Sequence, residues 1–295
     1  MKKRALALVL SMAMAACVTA CGDSSSTADT EKTSGSSSQA QGESAADSSK
    51  EGESKADRET IYQVSLLQGL TLGDYNGSVS VKELKQKGDT GIGTFEGVNG
   101  ELIMVDGTVY RAKSDGSIET APDDETIPFA NVTFFDTDEK QDISGVSSIA
   151  DLKKLLDEKV EKLGRNQFYM VRVDGTFKKM HARSELKQEK PYKPLAEALK
   201  TDQREFSWDN IEGTVVALYC PQYMKDLNAA GWHLHFVSKD KKYGGHVLEL
   251  DVDKAELKID CTQGFNMQLP DTEMFPTLDL TKDQSGDIKK VETKD

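Results

Sequence analysis

The sequence is short of the residues on which much specialised chemistry is built. Four cysteines occur in 295 residues, and two of them, Cys17 and Cys21, fall in or just after the N-terminal leader. The other two, Cys220 and Cys261, make no disulfide framework, and their apolar, strand-like surroundings suit buried free thiols. Basic side chains number 37 against 50 acidic ones, a formal charge of -13. That balance excludes nucleic acid as a partner, because binding phosphates needs clustered Lys and Arg. No internal repeat is present. Histidine is scarce as well, with four in the chain, yet three of them, His233, His235 and His246, fall within one short stretch.

The first twenty residues read as a targeting segment. Lys2, Lys3 and Arg4 precede an apolar stretch from Ala5 that is too short to span a bilayer as a stable helix. It ends in Val18-Thr19-Ala20-Cys21-Gly22, which resembles the lipobox of bacterial lipoproteins. Cys21 is therefore expected to carry lipid after cleavage, with the rest of the chain exported and membrane contact limited to that anchor. From Gly22 to about Arg58 there is no aromatic or branched aliphatic residue. Such a stretch buries too little apolar surface to offset its conformational entropy, so residues 21–58 are expected to be a flexible tether.

The remainder reads as α/β. Strand signals fall at Ile61–Leu67, Leu102–Val105, Thr108–Tyr110 and Ile127–Phe135, with Asp106-Gly107 as a hairpin turn. A short helix is expected over 79–84, entered through Ser80. The clearest helix runs from Ile149 to Leu163, with Leu152, Leu155, Leu156, Val160 and Leu163 on one face, a cap at Ser147 or Ser148, and a stop at Gly164. Phe168–Val173 reads as a strand ending in an Asp174-Gly175 turn, and 195–200 as a short helix. Strands then follow at 214–219, 232–237, 246–252 and 257–259. The pattern predicts two parts: a mixed sheet with helices over 59–205, and a smaller, mostly antiparallel part over 206–295.

Alternation along Trp232-His233-Leu234-His235-Phe236-Val237 sends both histidines to one face and the apolar side chains to the other. A turn centred between Asp240 and Lys241 places His235 opposite His246, within about 5 Å. Gly244 and Gly245 would let the returning strand bulge and aim the last ring. Three imidazoles with a fourth position open are the arrangement of a catalytic zinc; Fe(II), Mn(II) or Co(II) would also suit. The plainer reading, three histidines decorating a polar sheet face, is an improbable coincidence in a chain with four.

The string Gly231-Trp232-His233-Leu234-His235-Phe236, followed by Gly244-Gly245-His246-Val247-Leu248, resembles bacterial acetolactate decarboxylases. Three further stretches agree in order: Gly88–Thr94 leading to Gly100-Glu101-Leu102-Ile103 and Asp106-Gly107; Gly175–Arg183 with Gln188–Tyr192; and Ile211–Val215. The resemblance covers nearly everything from about residue 60 onward. It implies decarboxylation of 2-acetolactate to acetoin and CO2 without thiamine or pyridoxal cofactors, zinc on His233, His235 and His246, and a homodimer. It also assigns Glu101 as the active-site glutamate, Thr94 as its nearby hydroxyl, Arg183 as the active-site arginine, and Glu292 as the C-terminal glutamate.

Loss of CO2 from a 2-hydroxy-3-oxo acid leaves an enediolate, whose charge a Lewis-acid metal chelated by the hydroxyl and ketone oxygens would stabilise. Arg183 can hold the carboxylate. Glu101 or Glu292 can deliver the proton that sets product chirality. Two other functions fit the same hairpin, a lipoprotein that captures a metal or small ligand without catalysis, and a metal-dependent hydrolase. His181 reads as an ordinary hydrogen-bonding residue.

Overall fold

The computed structural model describes residues 56–292; the leader, Cys21 and nearly all of the tether lie outside them. In chain order the elements are β1 (Thr60–Val64), α1 (Leu67–Thr71), β2 (Val79–Ser80), α2 (Val81–Leu84), β3 (Thr90–Thr94), β4 (Glu101–Val105), β5 (Thr108–Ala112), β6 (Ile118–Thr120), β7 (Thr126–Ile127), β8 (Phe129–Thr133) and β9 (Glu139–Val146). There follow α3 (Ile149–Leu163), β10 (Phe168–Glu185), α4 (Leu195–Asp202), β11 (Gln203–Cys220), β12 (Gly231–Ser238), β13 (Gly244–Thr262), β14 (Gly264–Gln268) and α5 (Ser285–Glu292).

Local chemistry explains the elements that were legible in advance. Ser80 and Glu83 form a reciprocal capping box that starts α2. The Ser148 hydroxyl accepts from Asp151 N at the start of α3, and Gly164, with φ of 126°, ends it. Asp106 and Gly107 take φ values of 51° and 74°, the left-handed pair that a tight β4–β5 hairpin requires.

Seven strands form one mixed sheet, ordered β14-β1-β8-β3-β4-β5-β6, in which only the β1–β14 pair is parallel. The second sheet is antiparallel throughout. β10 pairs β11 along one edge and β13 along the other, and β12 bridges β11 to β13, so four strands close a ring while β9 extends it from β13. One face of this ring packs under α3, with Leu152, Leu156 and Val160 against Val171, Val215, Leu234 and Phe236. The opposite face, through Met170, Val216 and Val237, meets Ile61, Ile92 and Ile103 of the first sheet. A smaller cluster joins α1, α4 and α5.

Three expectations are corrected. No boundary lies near residue 205, because β10 and β11 pair continuously across it; the sheets part between β8 and β9, and β14 returns to the first one. Asp174-Gly175 is no turn but the middle of β10. A Cβ on Gly175 would stand 2.3 Å from the Lys254 carbonyl oxygen, so the glycine serves a close strand crossing. The strands expected at 246–252 and 257–259 are one continuous β13, whose polar middle pairs on both edges.

Asp260 sits in β13 at 1% exposure, with Oδ1 lacking a hydrogen-bond partner and Oδ2 accepting from Asp136 N at 3.4 Å. Burial, then the Asp136 charge, pushes its carboxyl from 3.8 up to about 8. Between those two values the folded chain keeps a proton that the unfolded chain releases, so this group makes stability fall as pH rises from 3.8 to about 8. Asp260→Asn should raise the melting temperature more at pH 8 than at pH 5, by at least about 2 °C. Equal shifts in thermal unfolding at the two pH values would show that the buried carboxyl is not protonated.

Candidate metal centre and active site

β12 alternates as its sequence dictates. Leu234 and Phe236 enter the core beneath α3, while His233 and His235 turn to the face that meets the first sheet. The turn after it is held by the Ser238 hydroxyl, which accepts from Lys242 N and Tyr243 N, and Lys241 takes a left-handed φ of 57°. His235 and His246 are therefore register partners. Gly244 and Gly245 act by close approach. A Cβ on Gly244 would lie 2.5 Å from the Phe236 carbonyl oxygen, and one on Gly245 2.4 Å from that of Arg183. β13 is thus pressed between β12 and β10 at this point, and its bulge against β10 comes slightly later, between Val247 and Glu249.

The three rings converge. His233 Nε2 lies 3.0 Å from His235 Nε2 and 3.0 Å from His246 Nδ1, and the three nitrogens all lie within 4.8 Å of one another. Nitrogens held at about 2.0–2.1 Å by one tetrahedral ion would stand about 3.4 Å apart, close to this spacing. His235 Nδ1 donates to the Leu102 carbonyl at 2.9 Å, which leaves Nε2 bare and aimed at its neighbours. Burial, followed by the Arg183 charge, lowers the His233 pKa to about 3. Burial also holds His235 and His246 well below the ordinary range, with the His233 charge next in importance for the former and Arg183 for the latter. At neutral pH all three are uncharged, the form that ligates a cation. Ring nitrogens converging in a buried site fit a divalent ion, and neither Cys220 nor Cys261 belongs to the group.

Around the rings lies a cavity of about 40 Å³ lined by Thr94, Glu101, Arg183, His233 and His246. Thr94 and Glu101 face each other across β3 and β4, and the Thr94 hydroxyl donates to the Gly100 carbonyl at 2.8 Å. Glu101, 6% exposed, brings Oε2 to 3.4 Å from His235 Nε2. Arg183 is the β10 partner of His246. Its Nη1 donates to Gln203 Oε1 at 3.0 Å and its Nη2 to the Val291 carbonyl. Glu292 ends α5 immediately after Val291, and its side chain lies outside the described atoms. His181 bonds Glu205, at 3.0 Å, away from the cavity.

Sequence reasoning missed Glu185, a buried residue lining the same cavity with Oε1 3.6 Å from Arg183 Nε. Its position two residues beyond Arg183 on one strand was the available signal. It also missed the apolar wall of Leu67, Leu70, Phe129 and Leu195, which only tertiary packing brings together.

Three neutral imidazoles beside a carboxyl and a guanidinium, in a cleft between two sheets, are the furniture of an enzyme able to use a metal ion. The alpha-acetolactate decarboxylase family model matches residues 61–282, and the chain belongs to that family. An alpha-acetolactate decarboxylase of Methanosarcina mazei is 40% identical over 234 residues, 79% of this chain and 80% of that protein. The Bacillus subtilis protein of the same name is 37% identical over 233 residues, covering 79% and 89%. A crystal structure of the decarboxylase from Bacillus subtilis strain 168 superposes with a TM-score of 0.77 at 36% identity, over 80% of this chain and all of that one. A Staphylococcus aureus structure described as of unknown function, similar to the same enzyme, gives 0.75 at 30% identity over 79% of this chain.

The purified protein should bind one divalent ion per chain in equilibrium dialysis. His233→Ala and His246→Ala should each weaken that binding by more than about 100-fold, since even outer-sphere changes cost metal sites 10–100-fold. Undiminished binding in either variant would remove that ring from the donor set.

Proposed function

We propose that this protein converts 2-acetolactate to acetoin and CO2 in the cavity beside the three histidines. The observation that carries the reading is the meeting of Glu101 and Arg183 with the ring nitrogens in one buried space, in a chain of this family. A divalent ion, zinc by preference for an all-nitrogen set with an open position, would be held by His233, His235 and His246 and would supply positive charge against the developing enediolate.

The remaining work falls to the chain's own groups. Arg183 receives the substrate carboxylate, exchanging the neutral Val291 carbonyl for a charged acceptor, which a guanidinium binds more strongly. The C1–C2 bond then breaks, and its electron pair delocalises from C2 into the adjacent ketone as CO2 departs. Glu101, protonated, gives a proton to C2 and completes the hydroxyl-bearing carbon of acetoin. Leu67, Leu70 and Phe129 exclude water from the apolar side, and Thr94 holds the Gly100 carbonyl at the turn that leads into Glu101. Glu292, by resemblance the family's C-terminal glutamate, is proposed as a second carboxyl for orienting the substrate.

Acetoin formation from racemic acetolactate should exceed the spontaneous rate and depend on added divalent metal. Glu101→Gln should retain bound metal and lose about 10²–10⁴ in turnover, the usual weight of general acid catalysis. Full turnover in that variant would end the proton-delivery role.

We further propose that the enzyme is exported, lipid-anchored through Cys21 and held off the membrane by residues 22–58, and that it works as a homodimer. Surface conversion of excreted acetolactate to neutral acetoin is chemically sensible there. Cys21→Ser should move the protein from the membrane to the soluble fraction on cell fractionation; retention in the membrane would exclude the anchor.

A further inference from the structure

Arg183 and Glu185 stand two residues apart at the end of β10, so their side chains leave the same face of the strand. Gln203 is the β11 register partner of Glu185. Arg183 and Glu185 both line the histidine cavity, and both are buried, at 5% and 6% exposure. Each nitrogen of the guanidinium meets a different kind of oxygen. Nη1 donates to the amide oxygen of Gln203 at 3.0 Å, and that amide is held in this orientation because its Nε2 donates to Glu205 Oε1 at 3.1 Å. Nη2 donates to the Val291 carbonyl. Nε has no hydrogen-bond partner among the described residues and faces Glu185 Oε1 at 3.6 Å, an ion-pair distance.

Nε and Nη2 share one edge of a guanidinium, so a substrate carboxylate that replaces the Val291 carbonyl arrives beside the carboxylate of Glu185. Two like charges then lean on one cation. That cost is useful in a decarboxylation. As the C1–C2 bond breaks, its electron pair passes to the ketone and the carboxylate leaves as neutral CO2. A guanidinium with no counter-charge would hold the carboxylate best before reaction, deepening the ground state and slowing the step. We propose that Glu185 is a positioning residue for Arg183: it keeps the guanidinium in place while tempering its charge, so that the substrate carboxylate is oriented without being over-bound. The inference rests on the reading of Arg183 as the receiver of that carboxylate. Removing such a charge lowers KM and kcat together, whereas loss of packing support lowers the active fraction and leaves KM where it was.

The test is Glu185→Gln, which keeps the shape and removes the charge, in metal-loaded protein. KM and kcat for acetolactate should each fall about threefold or more, with kcat/KM little changed. 2-Hydroxyisobutyrate has the carboxylate and the 2-hydroxyl but no ketone to receive electrons. By calorimetry it should bind the variant about threefold or more tighter than wild type. Glu185→Asp retains the charge and should return KM and anion affinity toward wild type. Gln203→Glu sets a second carboxylate on the guanidinium and should do the reverse, raising KM and weakening anion binding by about threefold. It carries the test should Glu185→Gln fail to fold, and unchanged values there overturn the proposal. An active wild type beside a Glu185→Gln variant with unchanged kcat, with KM unchanged or raised, or with anion binding no tighter, overturns the tempering role alone. A wild type that forms no acetoin overturns the proposed function, and the role of Glu185 falls with it.

Discussion

The pairing of His235 with His246 across β12 and β13 is the constraint on which the rest of the centre depends. Side chains alternate along a strand, so a slip of one residue would send His233 and His235 under α3 and bring Leu234 and Phe236 to the cavity. Several independent contacts forbid that slip. Ser238 fixes the turn through its hydroxyl. Gly244 and Gly245 admit β12 and β10 at distances no other residue would allow. The bond from His235 Nδ1 to the Leu102 carbonyl ties the same register to the first sheet. The ring that makes the register also orients Arg183, which faces His246 from β10.

This arrangement carries a standing cost. Three uncharged imidazoles, a guanidinium and two carboxyl groups are buried together, and desolvating such groups is offset only by mutual pairing or by a bound partner. Arg183 shows how the chain manages it. Glu185 lies beside Nε, Gln203 accepts from Nη1, and the carbonyl of Val291 accepts from Nη2. The last of these partners comes from the final turn of α5, where backbone carbonyls have no helical acceptor role left to fill. The C-terminal helix is therefore fastened to the centre by the same group that would meet a substrate carboxylate, so substrate binding and the seating of α5 draw on one guanidinium.

Much of this was legible in the sequence where the information is local. The period of α3, the caps at Ser80 and Ser148, the Asp106-Gly107 hairpin and the histidine register all follow from spacing within a few residues. Long-range facts were not legible. A strand and a turn were read at Phe168–Gly175 because an Asp-Gly pair ordinarily ends a strand, yet here Gly175 is required by the backbone of β13 eighty residues away. The 206–295 boundary failed for a related reason. The first half of β11 is largely polar, its apolar alternation is limited to Phe206 and Trp208, and it pairs with β10 along its length. Glu101 and Thr94 entered through family resemblance alone, since nothing in a hairpin edge reveals that another sheet will set His235 against it.

The position of the centre follows from the same topology. The ring of β10 to β13 supplies the three imidazoles and Arg183, and the first sheet supplies Glu101 and Thr94. Neither sheet contains a complete site. The apolar contact between them, Met170, Val216 and Val237 against Ile61, Ile92 and Ile103, thus does two things at once: it buries the core and brings the Glu101 carboxyl to 3.4 Å from the His235 ring. Cores are close-packed and deform little, so distance errors at that interface pass directly to the acid and the histidine. For that reason a substitution in the sheet contact, far from any polar group, acts on the geometry of the proposed proton transfer as well as on stability.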